Sequence, residues 1–183
     1  MKTLIPSEDV EAAIRSLDEA FRTQRRHDLW DDQGVLMCSP GKEERLRRIQ
    51  ARSLDALSWE DIDYLMSCAD LTIGTAATVK FMLPRYLGAV LTFPAFGWYS
   101  GVAILRDRLD RCGFCSWPAD QRLAAADALI LVAKAWVLAA TETDDVGSED
   151  EAGQLLLWAQ DSRMRVLIEL RRGSGRKSKP RRG

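Results

Sequence analysis

The chain has 183 residues, of which 46% are hydrophobic and 29% are charged, proportions typical of a globular protein with one sizeable core. These proportions exclude a chain that is disordered throughout. The formal net charge of −1 conceals an asymmetry, because seven of the 26 basic residues follow residue 170 and all 27 acidic residues precede it. Residues 1–170 therefore carry a charge of about −8, whereas the C-terminal segment is basic.

Neither a secretory signal nor a membrane span is predicted. Residues 1–5 lead directly into a polar stretch and not into the apolar region of a signal peptide. The most apolar tracts, 81–105 and 123–140, contain charges such as Arg85 and Asp127, which a membrane span disfavours. We predict a cytoplasmic protein whose four cysteines are mostly thiols.

The first half of the chain shows helical periodicity. Ser7 is predicted to cap a first helix with one apolar stripe formed by Val10, Ile14, Leu17 and Phe21. A connector at 29–37 contains Trp30, and Ser39-Pro40 is typical of the start of a second helix. The stripe predicted for that second helix consists of Leu46, Ile49, Leu54 and Leu57.

Ser58 and Asp61 have the spacing of a capping box, which predicts a short helix beginning near Trp59. The next helix is predicted to be capped by Thr75 and to contain a proline, Pro84, near its middle. Proline inside a helix costs about 3 kcal/mol. We therefore expect this kinked helix to lie at the centre of the fold, where packing offsets that cost.

Three further helices are predicted in the second half. A helix at 98–112 ends at Gly113, and a second one at 119–140 is apolar almost all round, as expected for the centre of a bundle. An acidic loop at 141–151 precedes a last helix at 149–172, whose apolar positions are Ala152, Leu155, Leu156, Ala159, Met164, Leu167 and Leu170. The Gly173-Ser174-Gly175 segment is predicted to end this helix.

These elements predict an all-α, single-domain bundle of about six to seven helices with a proline-kinked central helix. We place the helical domain at 1–172 and a disordered basic tail at 173–183.

Three short motifs carry a resemblance to a known family. They are Trp59-Glu60-Asp61-Ile62, Leu83-Pro84-Arg85-Tyr86-Leu87 and, at the start of a long helix, Gln121-Arg122. Together they resemble a family of small bacterial helical proteins of unknown function with a Leu-Pro-x-Tyr-Leu helix motif. The resemblance covers about residues 10–140 and implies a helical fold, but it implies no activity and no catalytic residue.

The sharpest chemical motif is Cys112-Gly113-Phe114-Cys115. A C-x-x-C pair forms redox sites in βαβ surroundings and zinc sites when a second cysteine pair is present. Here the motif falls between two helices, and Cys38 and Cys68 are isolated in sequence. The favoured interpretation is a tight turn, with a zinc- or thiol-dependent site on Cys112 and Cys115 as the alternative.

No catalytic arrangement is found. His27 is the only histidine, and the H-E-x-x-H, G-x-x-x-x-G-K-[ST] and G-x-G-x-x-G signatures do not occur. We therefore predict a non-enzymatic protein without a cofactor or metal, which binds another protein as an accessory or toxin-neutralising protein. The candidate binding residues are Trp30, Trp98 and Trp117 near connectors, together with Arg85 and Tyr86.

A third alternative is weak, nonspecific nucleic-acid binding through the basic tail. Seven basic residues after residue 170 would contact phosphates, but the acidic body would oppose the approach.

Overall fold

The computed structural model describes residues 6–23, 44–45, 47–49, 51–52, 56–68, 76–92, 104–142 and 146–175. Within these ranges the secondary structure is helical and contains no strand, which confirms the predicted all-α, single-domain bundle. The predicted Thr75 cap, the Ser39-Pro40 helix start and residues 176–183 of the tail lie outside the described residues.

Six α-helices and one 3₁₀ helix have described bounds. They are α1 (Ser7–Phe21), α2 (Trp59–Cys68), α3 (Ala76–Thr92), α4 (Leu105–Arg111), the 3₁₀ helix (Phe114–Ser116), α5 (Ala119–Glu142) and α6 (Val146–Gly175).

Helix α1 begins at Ser7, and the residue at its N-cap position is Pro6. The predicted Ser7 cap is therefore wrong by one residue, because Ser7 already has helical geometry and no side chain caps the helix. The predicted stripe is correct, since Leu17 and Phe21 are buried and Val10 packs against the core.

The predicted start of α2 is confirmed. The Ser58 hydroxyl oxygen accepts a hydrogen bond from the Asp61 backbone N–H at 3.3 Å. The Asp61 carboxylate is buried, and its oxygens lie 3.5 Å from Arg45 and 3.4 Å from Arg52. These two ion pairs fix the segment before α2 against the helix.

Helix α3 continues through Pro84, as predicted. The proline removes the donor that would bond the carbonyl of residue 80, so packing must offset the loss. Leu83, Tyr86 and Leu87 on this helix are each completely buried. Tyr86 also stacks on Trp59, with ring centroids 5.7 Å apart, so the proline-containing helix lies in the core.

The turn after α4 follows the prediction for Gly113. This glycine has a φ of 69°, a left-handed conformation that other residues seldom adopt. It follows the last turn of α4 and terminates the helix. Helix α4 begins at Leu105, with Ile104 at its N-cap position, and residues 98–103 of the predicted helix at 98–112 lie outside the described ranges.

Helices α5 and α6 form the most extensive helix–helix contact of the described structure. The predicted acidic loop at 141–151 is wrong, because α5 reaches Glu142 and α6 already begins at Val146. Acidic residues stabilise the N-terminal end of a helix, so 149–151 belong to the first turns of α6. The C-terminal end lies at Gly175, beyond the predicted end at Arg172, so the predicted domain boundary falls inside the helix.

Helix α5 is long and apolar enough to cross a membrane by length and composition, with a mean hydropathy of 1.9 over 18 residues. More than half of that window is buried within the bundle. Its buried side includes Ala125, Leu129, Val132 and Ala133, which face the other helices as expected for a central helix.

Candidate interaction surface

Helix α6 carries large apolar side chains on its outward face. Leu157 is 68% exposed, Met164 is 55% exposed and Ile168 is 40% exposed. At about 100° of rotation per residue, these three positions fall within roughly 40° of one another around the helix axis. They form a single stripe about 16 Å long, which we call the outward stripe.

The opposite face of α6 is buried. Ala152, Leu155, Ala159 and Val166 lie at helical spacing and contact the core, mainly along α5. Helix α6 therefore has two apolar faces, one packed within the bundle and one exposed.

Two residues of the predicted core stripe of α6 are exposed, and the prediction is wrong for them. Met164 belongs to the outward stripe, about 160° around the helix from Val166. Leu170 is 45% exposed because it lies level with the first residues of α5, and α5 does not extend further to cover it.

Charged residues surround the outward stripe. Asp150 is exposed near the N-terminal end of α6, and Arg171 and Arg172 are exposed near its C-terminal end. Between them, Arg165 forms an ion pair with Asp161 at 2.7 Å, and both side chains are solvent-accessible. The outward face of α6 is therefore acidic at one end and basic at the other.

Two ion pairs hold α6 against α5 in a fixed orientation. The buried Arg122 guanidinium donates hydrogen bonds to both carboxylate oxygens of Glu169, and Arg163 donates to Asp127. The hydrogen bond from Arg122 lowers the pKa of the Glu169 carboxyl. The carboxylate form of Glu169 is therefore favoured in the folded state, and these contacts keep the outward stripe turned away from the core.

The C-x-x-C motif lies beside a cleft of about 250 Å³ between the 3₁₀ helix, α5 and α6. Cys115 is exposed and lines the cleft, whereas Cys112 is buried, and both are thiols. The two arginines that line the cleft, Arg122 and Arg165, are each ion-paired with a carboxylate. The structure thus supports the predicted turn, with one thiol accessible.

A cluster of three or more histidine, cysteine, aspartate or glutamate side chains with metal-site spacing does not occur among the described residues. The four-thiolate alternative also involves Cys38 and the side chain of Cys68, which lie outside this part of the structure.

A second, larger cleft of about 350 Å³ lies between α1, α2 and α3. It brings together two of the motifs on which the family resemblance rests, since Trp59, Pro84 and Arg85 all line it. Arg85 is exposed there, but its neighbour Tyr86 points into the core. The predicted binding pair Arg85 and Tyr86 therefore does not form one surface.

The predicted tryptophan anchors are not brought together. Trp30 and Trp98 lie outside the described residues. Trp117 is only 7% exposed, so the expectation of a half-exposed anchor is wrong. Its indole N–H donates to the Cys112 carbonyl at 3.1 Å, and its ring packs against Phe21 and Phe114.

Sequence reasoning also missed a group of polar residues contributed by α2, α3 and α4. Arg108 is almost completely buried and donates to the Met66 carbonyl, near the C-terminal end of α2. Burial raises the pKa of the Asp63 carboxyl, and Arg45 partly opposes the shift. Burial also raises the pKa of Tyr86, with a further contribution from the Asp63 charge.

The Asp63 carboxylate is therefore expected to destabilise the fold at neutral pH. Because its pKa is raised on folding, the protonated form of Asp63 is favoured in the folded state. The stability that protonated Asp63 provides at low pH is lost as the pH rises through the folded pKa. We expect Asp63→Asn to raise the urea midpoint at pH 7 and to have no effect well below the ordinary pKa of 3.8. Urea titrations of both proteins at pH 7 and pH 3 measure this.

Asp107→Asn is the matched control, since Asp107 is exposed and pairs only with the adjacent, half-buried Arg106 among the described ion pairs. An Asp63→Asn effect that is the same at both pH values, or that equals the control, would contradict this account.

Comparison of the chain with protein-family models, with curated proteins and with solved structures gives no match. The family resemblance of the three motifs stays a prediction.

Proposed function

We propose that this chain is a non-enzymatic protein-interaction protein and that its outward stripe on α6 binds a partner helix. The observation that carries the proposal is the exposure of Leu157, Met164 and Ile168 on one face of a helix whose other face is buried. Single exposed apolar residues are ordinary on protein surfaces, but three that align on one face of a helix, with charged residues around them, are typical of an interaction site.

The spacing of the stripe indicates the kind of partner. Positions separated by seven and four residues project along one line, which fits a helix or a groove that receives a helix. Fully burying a leucine, isoleucine or methionine contributes about 1.5–3 kcal/mol. Three half-exposed side chains can therefore supply a substantial part of the binding free energy.

Fewer observations support the alternative function, a thiol-dependent site on Cys112 and Cys115. Cys115 is accessible beside Arg122, but Cys112 is buried and the surrounding arginines are neutralised by carboxylates. Binding through the outward stripe needs no rearrangement of the described structure, whereas use of both thiols requires Cys112 to become accessible.

Site-specific photo-crosslinking tests the proposal. A photoreactive amino acid placed at Gln160, beside the outward stripe, is expected to give an adduct of discrete mass in native host cells. Leu157→Glu and Met164→Glu introduce charges into the stripe and should abolish the adduct. Leu138→Glu is the matched control, because Leu138 is an exposed leucine of α5 outside the stripe, and it should leave the adduct unchanged.

The absence of any adduct at position 160 would overturn the proposal. An adduct that persists in both stripe variants would overturn it as well, because the contact would then lie elsewhere.

A further inference from the structure

The charges on the outward face of α6 limit which partners fit it. The N-terminal end has exposed Glu149, Asp150 and Glu151, and the C-terminal end has exposed Arg171 and Arg172. A partner helix of matching chemistry must therefore be basic at one end, acidic at the other, and apolar along one side between them. Helix α6 itself, in the reversed direction, has this pattern.

We infer that the partner is a second copy of this chain, whose α6 packs antiparallel against the first, and the inference rests on the proposed function above. In this arrangement the acidic end of each helix lies beside the basic end of the other. A parallel arrangement would place like charges side by side at both ends of the helix, which costs binding energy.

The sequence of α6 also gives a register for the pair. A two-fold axis between residues 162 and 163 places Leu157 of one copy opposite Ile168 of the other and Met164 close to the axis. The apolar residues of both copies then form one continuous strip. A contact of this kind uses the same surface on both chains and closes as a dimer.

The same register explains an open position on the helix. Gly153 lies within one residue of the level of Arg171 of the second copy and on the same side of the contact, and a Cβ atom added to Gly153 would meet nothing within 4 Å. The absence of a side chain leaves room for the stem of Arg171, whose guanidinium then lies about one helical turn from Asp150 and Glu151 of the other copy.

The centre of the contact is also complementary in charge. The Asp161–Arg165 ion pair lies beside Met164, so the two-fold axis brings two such pairs together with alternating signs. Because these charges and those at the helix ends stay near solvent, the dimer should weaken as the ionic strength rises.

Sedimentation equilibrium of the full chain tests the inference. At low salt and micromolar concentrations, we expect a species of twice the chain mass of 20.6 kDa, which shifts towards monomer at high salt. Leu157→Glu should raise the dimer dissociation constant roughly 10- to 100-fold, because the new carboxylate is buried at the contact. Leu138→Glu should leave it unchanged, and circular dichroism verifies that each variant keeps its helix content.

A charge-reversal experiment tests the orientation. One variant combines Arg171→Glu with Arg172→Glu, and the other combines Glu149→Lys, Asp150→Lys and Glu151→Lys. Each should dimerise less well than the unchanged chain, because its own helix ends now repel in the antiparallel arrangement. An equimolar mixture should restore association, since the acidic variant complements the basic one.

The possible failures are distinguishable. A chain that stays monomeric while the Gln160 crosslink captures a different protein overturns the second-copy inference and leaves the proposed function intact. A monomeric chain without any crosslink overturns both. A dimer that is insensitive to Leu157→Glu uses another surface and overturns the inference. Charge-reversal variants that dimerise as well as the unchanged chain overturn the antiparallel orientation, and a mixture that fails to restore association overturns the charge complementarity of the contact.

Discussion

Replacing Tyr86 with alanine is expected to lower the free energy of unfolding by about 3–5 kcal/mol. Tyr86 is completely buried on α3, two residues after Pro84, and its ring lies nearly parallel to that of Trp59. Alanine would leave a cavity between α2 and α3 and remove the packing that offsets the proline. Urea unfolding followed by circular dichroism measures the change.

Tyr86→Phe separates the contribution of the ring from that of the hydroxyl group. The hydroxyl is buried and has no hydrogen-bond partner in the described part of the chain. Its removal therefore leaves no donor or acceptor unsatisfied, and the substitution should change the free energy of unfolding by less than about 1 kcal/mol, in either direction. A phenylalanine variant as unstable as the alanine variant would show that the hydroxyl group makes an essential contact.

Trp117→Ala is expected to cost a similar amount, about 3–5 kcal/mol. The Trp117 ring centroid lies 6.1 Å from that of Phe21 and 5.3 Å from that of Phe114, both in edge contacts. Alanine would remove these contacts and the indole hydrogen bond to the Cys112 carbonyl. The turn that joins α4 to α5 would lose its main attachment to α1, and the same urea titration reports the loss.

Leu138→Ala provides the comparison for Trp117, because Leu138 is a large apolar residue that is 47% exposed. Truncation there should cost less than about 1 kcal/mol. Equal losses for Trp117→Ala and Leu138→Ala would mean that the buried aromatic contacts contribute little to stability.

The elements that the sequence predicted well are those with local physical signals. The Ser58 cap and the Gly113 turn depend on the chemistry of one or two residues, and both are confirmed. The placement of Pro84 inside a helix is also confirmed, because an apolar run on both sides of a proline favours a helix that is stabilised by packing.

The outward stripe was harder to predict from the sequence. Periodicity identified an apolar face on α6, but it does not distinguish between two faces of similar apolarity. The sequence alone therefore predicts Met164 on the core side, whereas the structure places it with Leu157 and Ile168 on the exposed side. The spacing of seven and four residues between Leu157, Met164 and Ile168 was the sequence signal that indicates this second face.

The burial of Trp117 and Arg108 was not predicted for a different reason. Trp117 lies next to a connector, and exposure was expected on that basis, but the turn itself packs under α1. Arg108 was missed because burial of an arginine depends on a carbonyl partner 42 residues earlier in the chain. Such long-range pairings are not encoded in local patterns.

The membrane-like composition of α5 has a consequence for what happens to the protein after it unfolds. When the bundle opens, a 24-residue helix with an apolar window becomes available to other unfolded chains and to lipid surfaces. Capture by either competes with refolding, so we expect heat unfolding to be irreversible and the lifetime of the folded molecule to depend on how often the bundle opens. The barrier to unfolding, more than the equilibrium between folded and unfolded chains, then protects this protein from aggregation.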